Sequence, residues 1–366
     1  MSTLAPYDAV MVLSFGGPES PEDVMPFLRH VTGGRGIPDS RLAEVAHHYD
    51  MRGGVSPIND ENRRLIAALK NELAARGESV PVLWGNRHAA PFTVDALREA
   101  GARRIVVVVT SAYPSYSGCR QYREDLAEAV GEIAAEADPQ SGVGSGLRID
   151  KVRPYSDHPG FVEAAADRTV ATLRAFLAEH GPSRPHLAFV THSIPVEMER
   201  TSGPHGGAYL HRHAEVVEQV MARVREIAPI EHSLVYCSRS GPPRQPWLEP
   251  DIGDHLRALS ADGVDGVVVS PIGFVADHME VVHDLDTEAA GIAAELGLAF
   301  TRVPTVQDDP RFVRGLVDLL EERAREARGE VVTPVSVSEE PLPSVCAPGC
   351  CPNLRGERPA LCEESR

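Results

Sequence analysis

Three groups of residues carry side chains able to do chemistry. The first is Thr191-His192-Ser193-Ile194-Pro195, where an imidazole follows an apolar, β-branched run. Such a group accepts a proton near neutral pH or ligates a borderline divalent metal; the plainer alternative is a histidine satisfied by a backbone carbonyl. The second runs from Gly273 to Asp286. A helix beginning near His278 brings Glu280, His283, Asp284 and Asp277 within one turn, with Asp286 behind them. Carboxylates and imidazoles so arranged can pass a divalent cation or relay protons, or else form a solvated polar face capped by Asp277. The zinc-protease pattern is absent, because His278 and His283 stand five apart and not four. The third group is Cys346, Cys350, Cys351 and Cys362. Thiolates suit iron-sulfur clusters and structural zinc, although this spacing matches neither paired C-x2-C motifs nor a ferredoxin run. Cys119 is the interior candidate for a further ligand, Cys237 is expected to be a buried core thiol, and free reduced thiols are the alternative.

The elements that must position these groups alternate regularly. Short apolar runs predict strands at 8–14, 80–85, 104–110, 148–153, 186–191, 232–237, 264–270 and 298–302, separated by segments of helical period. This alternation predicts an α/β fold of two halves, each with a four-stranded parallel sheet flanked by helices. Ligands of such sheets sit beyond the carboxyl ends of the strands, which is where His192, Ser238-Arg239-Ser240 and Pro271 to Asp286 fall. The expected organisation is an N-terminal half over 1–157, a C-terminal half over 158–308, a helix over 309–328 that joins the first half, and a linker with a cysteine tail over 329–366. The first crossover is too long for one helix; its glycine-rich stretch over about 16–60 predicts a cleft-lining insertion. The polar segment from Asp138 to Gly146 reads as a surface connection.

Composition narrows the function classes. The 366 residues hold 36 Lys and Arg against 53 Asp and Glu, a net charge of −17, so non-specific grip on nucleic acid or anionic membrane is not expected. No apolar run approaches membrane-spanning length and the first residues lack a signal-peptide pattern, which predicts a cytoplasmic protein without integral membrane association. Gly142 to Leu147 fails as a dinucleotide fingerprint, Cys237-Ser238-Arg239-Ser240-Gly241 fails as a nucleophile elbow, and no Walker A lysine motif is present.

Five ordered motifs are together recognisable: Leu13 to Glu19 (LSFGGPE), Gly53 to Asn59 (GGVSPIN), Thr191 to Pro195 (THSIP), Ser238 to Pro242 (SRSGP) and Gly273 to Asp286. Over about residues 7 to 328 the sequence resembles the ferrochelatases, and its tail cysteines resemble those of actinobacterial members, which are coproporphyrin ferrochelatases. The resemblance implies a chelatase-like fold of two similar Rossmann-like halves with a porphyrin cleft between them. Coproporphyrin III and ferrous iron are the implied partners, iron being a substrate, and a downstream haem-pathway enzyme would take the product. It further implies metal-site and catalytic roles for His192 and Glu280 and porphyrin contacts for Ser56 and Tyr122; the mechanism expected with them is a relay of metal or protons through His283, Asp284 and Asp286 behind Glu280. A two-iron two-sulfur cluster is implied on Cys119 with three of Cys346, Cys350, Cys351 and Cys362. Where many relatives have a tyrosine that approaches the iron, this chain has Phe15, which cannot ligate a metal. Alternative readings are a protoporphyrin IX ferrochelatase, a cobalt or nickel chelatase, and a tetrapyrrole or metal carrier. Arg35, Arg52, Arg87 and Arg120, all in loops, are candidate partners for the four propionates of the substrate.

Overall fold

The computed structural model describes residues 2–33, 36–136, 146–241 and 244–363. Arg35 and all of the 138–146 segment but Gly146 therefore lie outside the described residues. Strands β1 (Ala9–Ser14), β2 (Val82–Asn86), β3 (Arg104–Val109) and β4 (Arg148–Lys151) form one parallel sheet in the order β2-β1-β3-β4. Strands β5 (Pro185–His192), β6 (Glu231–Cys237), β7 (Gly266–Ser270) and β8 (Ala299–Arg302) repeat that order as β6-β5-β7-β8. All eight expected strands are present, and the two halves share one topology.

Period-two alternation explains how each strand serves two helix layers. Val10, Val12, Val106 and Val108 face a core shared with the second half, whereas Met11, Leu13, Ile105 and Val107 face a separate core on the other side of the sheet. Leu187, Phe189 and Val268 enter that same shared core, and Ala188, Val190, Val267 and Val269 face away. Two apolar faces per strand are what a parallel sheet demands.

The first half contains α1 (Pro21–Val31), α2 (Asp39–Asp50) and α3 (Ile58–Ala75) between β1 and β2, then α4 (Thr93–Ala100) and α5 (Gln121–Glu136). The second has α6 (Pro159–His180), α7 (Val196–Arg200), α8 (Ala208–Val224), α9 (Ile252–Ala261), α10 (Met279–His283) and α11 (Ala290–Glu295). A final helix, α12 (Pro310–Ala327), packs against α3 and β3 of the first half and against α6. Helix α6 starts with Pro159 at its first turn and His158 as its cap, whose Nδ1 accepts the Gly160 N–H at 3.1 Å; Gly181, at φ 55, ends it. Where α6 meets α12 the backbones nearly touch, since a Cβ on Gly315 would lie 2.7 Å from His158 Nδ1 and one on Gly160 2.6 Å from the Arg311 carbonyl.

Residues after α12 form an extended strap bound to the body of the protein. Arg153, fully buried, donates to Asp157 at 2.6 Å, Glu322 at 2.8 Å and the Val335 carbonyl at 2.7 Å. The Val337 N–H bonds the Asp157 carbonyl, and Arg212 bonds Ser338 and the Glu340 carbonyl. The expected linker is thus extended, as its composition indicates, and also anchored along its length.

Candidate metal-insertion site

His192 is the last residue of β5, at the carboxyl edge of the second sheet. The wall behind it is rigid. Tyr209, buried at the start of α8, donates its hydroxyl to the His192 carbonyl at 2.8 Å and lies 2.7 Å from Thr191 Oγ1. Imidazole Nδ1 bonds the Ser193 carbonyl; since a carbonyl only accepts, Nδ1 carries the proton and Nε2 faces outward. The carbonyl partner of the plainer reading is therefore real, and it frees the other nitrogen for chemistry. Nε2 stands 3.3 Å from the Glu280 carboxylate.

Glu280 lies in α10, a single turn that follows the β7 strand end. Burial works to raise its pKa, but the hydrogen bond and charge of His192, with His278 beyond, pull it down to about 2. Burial likewise works against the His192 cation, and Glu280 more than offsets this, leaving His192 above its ordinary value. With 59% of the Glu280 side chain open to solvent, the pair is screened and adds little to stability. Its value is chemical: a proton or a cation can sit between an imidazole nitrogen and a carboxylate.

The chain departs from a regular α-helix at Asp284, where a π-turn spans Asp284–Ala289. Ligand atoms of His283, Asp284 and Glu288 come within 4.8 Å of one another, the one such set of three among the described residues. Burial lifts the Asp284 carboxyl to about 7, with the Glu280 and Glu288 charges adding to the effect, against the Ser238 hydroxyl that donates to it. Ser238 follows β6 at φ 59. Asp277 and Asp286 do not join this group: both are held by Arg302 of β8, at 2.9 Å and 3.0 Å from its Nη2. Sequence spacing put Asp286 behind Glu280; the π-turn and Arg302 direct it elsewhere.

The insertion forms the facing wall. Val24, Phe27, Leu28, Leu42, Ala46 and Tyr49 of α1 and α2 pack around Met279, next to Glu280. His48 stacks on His283 with ring centroids 3.7 Å apart, and Arg52 lies 3.4 Å from Thr287. Neither His48 nor Glu288 stood out in the sequence; the His47-His48-Tyr49 run in a cleft-lining insertion was the available signal.

A family model for ferrochelatase matches residues 7–324. The chain belongs to the ferrochelatase family. A coproporphyrin III ferrochelatase of Streptomyces griseus is 52% identical over 97% of this chain and 96% of its own length. One from Streptomyces coelicolor is 51% identical over the same shares. A solved sirohydrochlorin chelatase of Bacillus subtilis subspecies spizizenii superposes with a TM-score of 0.46 at 11% identity, over 88% of this chain and 97% of that one.

The remaining expected site positions belong to the first half. Ser56 is buried, its N–H bonded to the Pro18 carbonyl at 2.9 Å. Tyr122, also buried, lies under the Arg87 guanidinium, 4.7 Å from its ring centroid. Arg87 itself pairs with Asp125 and is only 4% exposed. Phe15 packs against Phe27 and His88. Arg52 is exposed near the π-turn. Arg120 faces the tail, where it pairs with Glu124 and Glu363 and donates to the Arg358 carbonyl at 3.1 Å.

That tail folds back on the first half. Cys119 and Cys346 lie near enough to influence each other's ionisation, as do Cys346 and Cys350, and the Cys350 and Cys351 sulfurs are 3.9 Å apart. Cys351 also accepts the Gly203 N–H, at 3.0 Å, and so reaches the second half. Cys362 Sγ turns to the Ile149 carbonyl, at 3.5 Å. Cys237 is buried at the end of β6, as expected. Four sulfurs in sequence, mostly buried, fit the two thiolates per iron that a two-iron cluster requires.

Proposed function

We propose that this chain inserts ferrous iron into coproporphyrin III, giving the iron porphyrin that haem synthesis requires. The observation that carries the reading is the His192 and Glu280 pair, 3.3 Å apart at the edge of the second sheet and faced by the α1–α2 insertion. The substrate is supported by the names of relatives that match nearly the whole chain.

Metal insertion must strip two pyrrole N–H protons and expose nitrogen lone pairs that a flat ring hides. With Nδ1 fixed on Ser193, His192 Nε2 takes the two protons one after the other, releasing the first to solvent along the open Glu280 side before it accepts the second, and Glu280 stabilises the imidazolium that forms each time. Ferrous iron competes with that proton for the same two ligands, so iron arrival and proton departure are one exchange. Asp284, Glu288 and His283 form the approach along the π-turn. Ser56 and Tyr122 hold the porphyrin from the first half.

A two-iron two-sulfur cluster would be held by Cys119, Cys346, Cys350 and Cys351, with Cys362 directed away to the Ile149 carbonyl. It would supply one-electron redox capacity and a covalent tie between the tail and the first half. Cysteines that bind iron and sulfide, and not one another, suit the reducing cytoplasm, where we place the reaction.

The test is anaerobic turnover with ferrous iron, comparing coproporphyrin III and protoporphyrin IX. We expect coproporphyrin III to be preferred and His192→Ala to lose activity by about 10²-fold or more while keeping its melting temperature. Near-normal turnover by His192→Ala removes the proposed mechanism, and a preference for protoporphyrin IX removes the proposed substrate.

A further inference from the structure

Lys151 ends β4 on the side of the strand that faces inward, and only 3% of the residue is exposed. Its ammonium donates to the Val152 carbonyl at 3.0 Å and makes no ion pair among the described residues. The neighbouring acid, Asp150, is held by Arg104 and Arg323. A buried lysine with no anion is strongly disfavoured, since nothing repays the loss of its hydration. Arg123 raises the same problem: fully buried, it donates to the Cys350 and Leu361 carbonyls, keeps one unpartnered nitrogen, and has Glu363 no nearer than 3.7 Å.

Both cations face Cys119 and Cys346. Those two thiols, with Cys362, are the groups whose charge favours the Lys151 ammonium, and with Glu363 and Cys350 they do the same for Arg123. Lys151 and Cys119 line one small cavity together with Tyr113 and Tyr155, so the two side chains border the same space. Neutral thiols cannot balance the Lys151 ammonium, and Glu363, shared with Arg120, answers Arg123 only at 3.7 Å. A cluster on four thiolates can balance both, because it is an anion in both oxidation states and gains a further negative charge on reduction.

We propose that Lys151 and Arg123 are the buried counter-ions of the cysteine-bound cluster, holding its charge in the interior and setting its reduction potential toward more positive values. This rests on the cluster reading above. It also accounts for a charged residue at an inward position of a strand, for which catalysis has no use.

The test uses the full-length protein, purified without oxygen, as wild type, Lys151→Met and Lys151→Arg. Iron and acid-labile sulfide are measured, the cluster is titrated with dithionite while its visible bands are followed, and melting temperature is recorded. The wild type should carry two irons and two sulfides per chain. Lys151→Met should either lose at least half of that cluster or hold it at a more negative midpoint potential, and should melt lower. Lys151→Arg, which keeps the charge, should restore content and potential. Unchanged content and potential in Lys151→Met, or a higher melting temperature, overturns the counter-ion assignment alone. Wild-type protein without iron and sulfide overturns the cluster reading, and the assignment falls with it.

Discussion

Gly273→Ala is the smallest change that reaches His192 without touching it. The Gly273 N–H bonds the Val190 carbonyl at 3.1 Å, which presses this loop onto β5. A methyl group there would lie 2.1 Å from Thr191 Oγ1, 2.5 Å from its Cβ and 2.7 Å from its Cα. Thr191 is fully buried, and its hydroxyl is engaged by the same Tyr209 oxygen that holds the His192 carbonyl. Rotating the threonine breaks that bond and still leaves the clash with its backbone, so the strand and loop must part by about 1 Å to reach ordinary van der Waals separation. Overpacking of this kind costs about 1–3 kcal/mol, a fall in melting temperature of roughly 1–4 °C at this chain length. Displacing a reacting group by about 1 Å costs on the order of 10²-fold in rate. The assay is loss of porphyrin fluorescence as ferrous iron enters, with a thermal melt alongside. Gly291→Ala is the control, because nothing lies within 4 Å of a Cβ there. If Gly273→Ala turns over within about threefold of wild type and melts within about 1 °C of it, the wall behind His192 yields and the reasoning fails.

Two further outcomes follow from named contacts. Arg153→Met should lower stability by about 3–5 kcal/mol, read as a lower urea midpoint, because Asp157 and Glu322 are left buried without their cation; an unmoved midpoint would show that water reaches those carboxylates. Glu280→Gln should shift the rising limb of the kcat/KM pH profile to lower pH, since Glu280 is what holds the His192 pKa up, and should raise KM for ferrous iron. The sign is fixed by linkage: the pair's small contribution to stability is complete below the unfolded histidine pKa of about 6.5 and fades as pH rises through the raised folded value. A limb that stays in place in Glu280→Gln means that another group titrates.

What was legible in the sequence is what depends on local periodicity. Runs such as RIVVVV at β3 could only be strands apolar on both faces, and once strands were set, the carboxyl-edge rule put His192 and Glu280 among the few residues to inspect. Asp286 escaped that logic twice. Its partner Arg302 lies on the last strand, and the π-turn changes which side chains share a face after His283. Arg120 and Arg87 looked like free loop cations for propionates, but their partners Glu363 and Asp125 come from segments that only the folded chain brings near. Lys151 did leave a signal: within RIDK it sits on the same side as buried Ile149, where a strand facing a core would place an apolar residue.

The strap after α12 bears on how the protein is made. Arg153, Arg123 and Arg120 belong to the first half, yet their carbonyl and carboxylate partners are Val335, Cys350, Leu361, Arg358 and Glu363. During synthesis the first half leaves the ribosome with Arg153 paired only with Asp157, Arg120 only with Glu124, and Arg123 without its later partners. It cannot reach its final packing until some two hundred later residues have been added, at about 5–20 residues per second. For about the first half of that time the α1–α2 insertion also lacks Met279 to close against. Nascent chains should therefore depend on chaperone protection until the strap has been translated, and a ribosome stalled within the strap would hold a nearly complete, still open enzyme.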